Sequence, residues 1–407
     1  MNTTNLKCIR PFLLVACLLA FVYGAGPAAR AQVTGQWTLV GLHPAASAIT
    51  PGTHYARTLG TLRPWNGRLY IGYGDYDNNV GDPAKIIPYD PAEDRFVGPL
   101  LTSANREWTI YREIDGKLYS PVTDNPSAGT FNNFGVGQVS GGAESWSEHV
   151  EVPTEHVLDM ATTGPGQVWM VGSASGGAYP DCPNCAIVWR STDGGQDFTR
   201  SLSVAPEDTS CTNCASIFYF AGVLNGVLWV QARDFHGNVP QIQSHAWAFN
   251  GQSWKSEDAN LLPLSTVHHG YGPTQFGDFL VYLTRKPARI ANNYLMLFDG
   301  INDATSANIP ATVTNFAVDG DFIYVLMSNG DVRRTKDVTA QWDDWERLPT
   351  YTFDPSAYPL APFGHGARSI AVLDGVVYLG TADAELYRLD VCGREDLCGQ
   401  PPGIDGP

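Results

Sequence analysis

The segments Asn66-Gly67-Arg68-Leu69-Tyr70, Asp115-Gly116-Lys117-Leu118-Tyr119, Gly166-Gln167-Val168-Trp169 and Asn225-Gly226-Val227-Leu228-Trp229 share one pattern. A tight turn is followed by an apolar run that carries an aromatic. Asp278-Phe279-Leu280-Val281-Tyr282, Gly320-Asp321-Phe322-Ile323-Tyr324 and Asp374-Gly375-Val376-Val377-Tyr378 repeat it. The aromatics recur roughly every 50 residues, the period of a propeller blade built from short strands and Gly turns. Seven copies predict an all-β fold, a seven-bladed β-propeller of four-stranded antiparallel blades. In such a blade the A–B and C–D turns share one face. The B–C and D–A loops share the other, and here they are longer, which marks the functional face.

Outward from the repeat, residues 1–31 read as a signal peptide. Lys7 and Arg10 precede an apolar stretch from Phe12 to Tyr23, and Ala29-Arg30-Ala31 offers a cleavage site. A lipoprotein anchor at Cys17 ranks second, because the apolar run continues past it. No later stretch is long and apolar enough to span a membrane, so a secreted or periplasmic chain is expected. Residues 32–398 form one propeller domain and 399–407 a loose tail. Gly35-Gln36-Trp37-Thr38-Leu39-Val40 is expected to supply the outer strand of the last blade. The net charge of −16 becomes about −19 without Lys7, Arg10 and Arg30, which argues against nucleic acid as a partner. No motif calls for an organic cofactor, and a monomer is expected.

The third repeat shows a whole blade: strand A from His156, strand B from Gln167, strand C from Ala186, and then the turn Ser191-Thr192-Asp193-Gly194-Gly195-Gln196-Asp197-Phe198. That turn resembles an Asp-box (BNR repeat), Ser-x-Asp-x-Gly-x-Thr-Trp/Phe, with Asp197 at the Thr position. Weaker echoes stand at Asp90, Asn250 and Asp299. The resemblance is to the Asp-box, sialidase-like propeller superfamily. It implies a structural turn, with the Asp carboxylate accepting amide hydrogens.

Thirteen residues before each repeat aromatic stand Arg57, Arg106, His156, Ser216, His269, Ala311 and His365. Three residues further lie Gly60, Thr109, Asp159, Tyr219, Gly272, Thr314 and Arg368. Five of the first seven are Arg or His, which predicts a basic ring at the funnel mouth and an anionic ligand. Trp108 and Tyr271 are candidates to stack on sugar rings. The B–C loops add Asp75 to Asn79, Asp124, Asn125, Asn132, Asn133, Arg233, Asp234, His236, Arg285 and Lys286; the Asp75 run reads mainly as a solvated loop.

Cys182-Pro183-Asn184-Cys185 and Cys211-Thr212-Asn213-Cys214 fall in loops of the same face. Two C-x-x-C pairs suit structural zinc, and an oxidising compartment suits two disulfides. Both readings stay open, with cross-loop pairing expected for disulfides. Cys392 and Cys398 suggest a local disulfide.

His156, Tyr219 and Arg233 fall on adjoining blades in an order that resembles the secreted seven-bladed ulvan lyases, which use His, Tyr and Arg on neighbouring inner strands. The resemblance implies β-elimination on a uronate-containing polysaccharide, with those three as catalytic residues. Arg57, Arg106, Trp108, His269, Tyr271, His365 and Arg368 would bind substrate. Two alternatives are a non-catalytic carbohydrate- or protein-binding propeller and a sialidase-like hydrolase using Arg57, Arg106 and Arg368 as a triad.

Overall fold

A computed structural model describes residues 35–47, 58–74, 83–104, 107–108, 110–122, 133–154, 156–174, 179–207, 214–236, 239–258, 261–262, 272–285, 293–310, 312–352 and 366–390. Seven antiparallel sheets of four or five strands follow one another along the chain, as the repeat predicts. Strands A and B of each blade are Thr61–Trp65 and Arg68–Gly74, Arg112–Ile114 and Lys117–Pro121, His156–Gly164 and Gln167–Ser173, Cys214–Leu224 and Val227–His236, Thr274–Phe276 and Phe279–Arg285, Val313–Asp319 and Phe322–Met327, and Ala367–Leu373 and Val376–Thr381. Strands C and D complete each sheet outward. Blade 1 carries an addition, a short strand Glu107–Trp108 paired to Tyr73 and Gly74.

The repeated phrase builds a hairpin each time, and four of the seven share one turn. Asn66 and Gly67 have φ of 49° and 72°, and Asp115-Gly116, Asn225-Gly226 and Asp374-Gly375 match them. Two positive φ values in succession define the turn whose twist suits a two-residue hairpin, which is why Asn-Gly and Asp-Gly recur there. The aromatic that follows enters strand B with its side chain inside. Tyr70, Tyr119, Trp169, Trp229, Tyr282, Tyr324 and Tyr378 are all at most 5% exposed. Most pack on the next blade: Trp169 on Phe249 and Trp254, Trp229 on Phe298, Tyr378 on Tyr89. The repeat is therefore the mortar between blades.

The C–D turns are held by side-chain oxygens. Asp193 Oδ1 accepts from the amides of Gln196 and Asp197, and Phe198 packs edge-on against Phe134. Asp90, Asn250 and Asp299 cap their turns in the same way.

Closure is made by Thr38–Leu42, which pairs with Glu385–Asp390 as the outer strand of blade 7. Trp37 Nε1 donates to the carbonyl of Pro349, 2.8 Å away. Just beyond the strand, His43 is fully buried against Tyr73 and Phe96, 3.2 Å from the carbonyl of Ile87. Burial drives its pKa down to about 3, so the imidazole is neutral and acts as a hydrogen-bonding core residue. The seam thus ties blade 7 to blade 1.

Toward the axis, the inner strands are bulged. The ladder passes over Leu158, Tyr219, Thr314 and Arg368 in blades 3, 4, 6 and 7. A bulge re-aims side chains and frees backbone groups, and buried polar side chains take up those groups. Asp159 accepts two bonds from Arg112 of blade 2, at 2.7 and 2.8 Å, and one from the amide of Ala221 of blade 4, at 3.0 Å. Asn315 of blade 6 donates to the carbonyls of Arg368 in blade 7 and Gly60 in blade 1. Ser369 Oγ donates to the carbonyl of Leu59.

Arg112 and Asp159 are 11% and 3% exposed at their side chains. Removing one partner of a buried pair strands the other charge. Asp159→Ala is expected to lower stability by about 3 to 5 kcal/mol, read as a fall in the urea midpoint at unchanged slope.

Candidate functional site

Strand A of every blade starts at the B–C/D–A face, so low residue numbers in that strand lie nearest it. The Asp159–Ala221 bond fixes how blades 3 and 4 are staggered. His156 lies three residues toward the loop face from Asp159, and Tyr219 two residues toward it from Ala221. Arg233, on strand B, stands opposite Ile217 of strand A and Ser244 of strand C. The three expected catalytic residues are thereby placed at one end of two adjoining blades. His156 and Arg233 are half-buried. Tyr219 is the bulged residue itself, half-buried, with its ring 5.9 Å from that of Phe235. Arg368 and Thr314 occupy the same bulge register in blades 7 and 6.

Beneath them the channel has a floor. The Arg112 guanidinium reaches from blade 2 to Gly272 of blade 5, nearly opposite in the ring. A Cβ on Gly272 would sit 2.0 Å from Nη2 and 2.3 Å from Cζ, and φ there is +75°. Only glycine accommodates a guanidinium laid flat on its Cα. Among the described residues the site is thus a cup of strand ends with Arg112 across its base.

A second polar group lies between blades 3 and 4. Asp234, 5% exposed, accepts from the Glu207 amide at 3.0 Å and lies 3.4 Å from His245 Nε2. The Glu207 carboxylate is 3.6 Å from the same nitrogen. Burial pushes the Asp234 pKa up, but His245 and the Glu207 amide outweigh it and hold the group below its usual range. The hydrogen bond to Asp234 raises the His245 pKa against the opposing effect of burial. Asp234 was legible as a loop candidate. His245 was missed because it sits on strand C, away from the inner-strand register. Its only signal was a histidine heading the run Ala246-Trp247-Ala248-Phe249.

Three expectations are corrected. Trp108 is fully buried among Trp65, Tyr70, Ile86, Tyr111 and Leu118, so it does not stack on a ligand. Gly135 leaves room for its ring, since a Cβ there would lie 3.0 Å from it. Asn133 is also structural: its side chain donates to Val152 and accepts from the amides of Glu151 and Val152. Cys182 pairs with Cys185 inside its own loop rather than across loops. Cys214 is likewise disulfide-bonded.

Just beyond Cys214, the amide of Ser216 donates to the carbonyl of Asn184 in the Cys182–Cys185 loop at 2.9 Å. Ser216 is fully buried by this contact and does not line the mouth. Disulfide sulfurs offer no thiolate to a metal, and no cluster of three or more metal-binding side chains occurs among the described residues. Arg57, Arg106, His269, Tyr271, His365 and Cys211 lie outside the described residues, as do the Asp75 run, Asp124, Asn125, Asn132, Lys286, Cys392, Cys398 and both termini. The side chains of His236 and Arg285 do so too. Among the described residues no helix is long and apolar enough to cross a membrane.

No family model and no curated protein matches this chain. Solved structures with a similar fold include YCF48 from Cyanidioschyzon merolae, at 11% identity over 86% of this chain and 98% of that one, TM-score 0.46. The polysaccharide lyase Uly1 is similar at 10% identity over 83% and 90%, TM-score 0.44. Virginiamycin B lyase from Staphylococcus aureus is similar at 10% identity over 88% and 99%, TM-score 0.48. What the cup does follows from its own residues.

The His245–Asp234 pair sets a pH window. A raised histidine pKa gives stability that is complete below the unfolded value of 6.5 and lost as pH rises through the folded one. The lowered Asp234 pKa gives stability complete above 3.8 and lost as pH falls through the folded value. His245→Gln is expected to cost most near about pH 5 and less near about pH 9, measured by denaturant unfolding at each pH.

Proposed function

We propose that this chain is an exported carbohydrate-active propeller that cleaves a uronate-containing, ulvan-like polysaccharide by β-elimination. The observation that supports this reading is that His156, Tyr219 and Arg233 stand at one end of blades 3 and 4, above the Arg112–Gly272 contact. Elimination needs a cation on the uronate carboxylate, a base for the C5 proton and an acid for the leaving oxygen.

Arg233 is assigned to the carboxylate, where a guanidinium offers paired donors. It thereby stabilises the negative charge that develops as the C5–H bond breaks. His156 takes the C5 proton as the C4–C5 double bond forms. Tyr219 delivers a proton to the oxygen that departs from C4. Arg368 lies in the bulge register around the same cup, and Arg57, Arg106, His269, Tyr271 and His365 are assigned to the flanking subsites. His245 is excluded as the free base, because Asp234 and Glu207 already face its nitrogen. Residues 1–31 are assigned to export, and the partner is an anionic glycan.

Reduced, Cys182, Cys185, Cys211 and Cys214 would supply the four thiolates of a structural zinc. Equimolar zinc by elemental analysis of protein purified without oxidant is the expected result for that state. Fully oxidised thiols without zinc would discard it.

The decisive assay follows ultraviolet absorbance of the unsaturated uronate on a panel of uronate polysaccharides. A rise on one polymer is expected. His156→Ala should lower kcat by about 100-fold or more with the circular dichroism spectrum unchanged. Absence of a rise on every polymer, with retardation on a glycan gel, would replace elimination by binding.

A further inference from the structure

The Cys182–Cys185 disulfide closes a loop of sequence separation 3. A cross-link that short restricts the unfolded chain less than one that closes a long loop. Its position is more informative than its contribution to stability. Cys185 is 1% exposed and packed in the blade 3 core, whereas Cys182 is half-buried between exposed Asp181 and Pro183. Cys182, packed on the edge of that core, is therefore the more accessible residue of the pair.

The loop is also a structural tie. Its Asn184 carbonyl accepts from the Ser216 amide, and its Cys185 carbonyl accepts from Ala174. Ser216 lies three residues before Tyr219 on strand A of blade 4. On the other flank, Tyr179 accepts from Trp189 Nε1 at 2.9 Å and lies under the Arg200 guanidinium, which pairs with Asp181. The flank is anchored independently of the disulfide. The contact to blade 4 depends on the loop tip.

We propose that Cys182–Cys185 is a thiol–disulfide exchange site for low-molecular-weight thiols, and that its redox state controls the Asn184–Ser216 tie between blades 3 and 4. The thiolate of the external thiol attacks Sγ of Cys182, the more accessible residue of the pair. A new sulfur–sulfur bond forms to Cys182 as the Cys182–Cys185 bond breaks. The electron pair leaves on Cys185, which takes a proton from solvent. A second thiolate then attacks the external sulfur of the mixed disulfide. It releases the external disulfide and leaves Cys182 reduced, so two thiols are oxidised for one protein disulfide reduced. Reduction opens the short ring and loosens the loop tip.

The test uses the full mature protein equilibrated in graded reduced and oxidised glutathione, trapped by alkylation and mapped by mass spectrometry. The expected result is reduction of Cys182–Cys185 in the folded state, with mixed disulfide on Cys182 and not on Cys185. Hydrogen exchange at the Ser216 amide should quicken by about tenfold, the scale of one lost hydrogen bond. Cys185→Ser should hold glutathione on Cys182 even if double-cysteine variants fold poorly.

A disulfide that resists reduction until the protein unfolds would overturn the proposal. So would attack at Cys185, an unchanged Ser216 exchange rate, or zinc on thiols that are already reduced. None of these readouts depends on polysaccharide cleavage, so this inference and the lyase reading fail separately.

Discussion

The structure depends on how seven inner strands meet around an axis with no covalent link between them. Asp159 is the main answer. It grips Arg112 from blade 2, takes the Ala221 amide from blade 4, and through Arg112 touches blade 5 at Gly272. Four blades are thus joined by one carboxylate. Asn315 joins the other three, from blade 6 to the carbonyls of blades 7 and 1. Apolar packing between blades is non-directional and tolerates small rotations. Hydrogen bonds with fixed partners do not, so these two side chains set the stagger of the strands. That stagger determines what stands at the mouth.

The same geometry explains why the polar residues of the inner strands divide into two kinds. Asp159, Asn315 and Ser369, just below the bulge, are committed to their neighbours and buried. Tyr219 and Arg368 at the bulge, and His156 above it, are half-buried. Tyr219 and Ala221 are only two residues apart, yet one is a half-buried phenol at the bulge and the other is locked into the lattice of latches. A functional cup can be varied above such a floor without disturbing the ring beneath it.

Much of the fold was legible from local chemistry. Asn-Gly and Asp-Gly dictate their turn, and an aromatic at fixed spacing after each turn must be buried, so the number of blades and their hairpins followed directly. The Thr38–Leu42 closure was readable because the last blade lacked an outer strand. The site was legible only in part. Counting back from the aromatics found the bulge register at Tyr219, Thr314 and Arg368, but spacing alone gives no depth. Asp159 and Tyr219 fall on the same count and play opposite roles, because the blade 3 bulge comes one residue earlier, at Leu158. Trp108 was misread because the extra strand that carries it into the core belongs to no repeat. His245 escaped because it sits on strand C, where Asp234 is its neighbour from strand B of the same hairpin and only Glu207 arrives from the connection between blades 3 and 4.

The seam between Thr38–Leu42 and Glu385–Asp390 has a further consequence for how the ring comes into being. Leu39 faces Tyr387 across it, so the first strand of the propeller cannot pair until the residues of the last blade have left the ribosome. Until then an edge bearing Leu39 and Leu42 waits without a mate, and such an edge is a template for unwanted pairing with other chains. Contacts this remote in sequence also form late, because a long loop must close before they are rewarded. The ring is therefore assembled from blade to blade and clasped last, and the clasp, with His43 seated behind it, marks the moment at which the molecule acquires its native circular order.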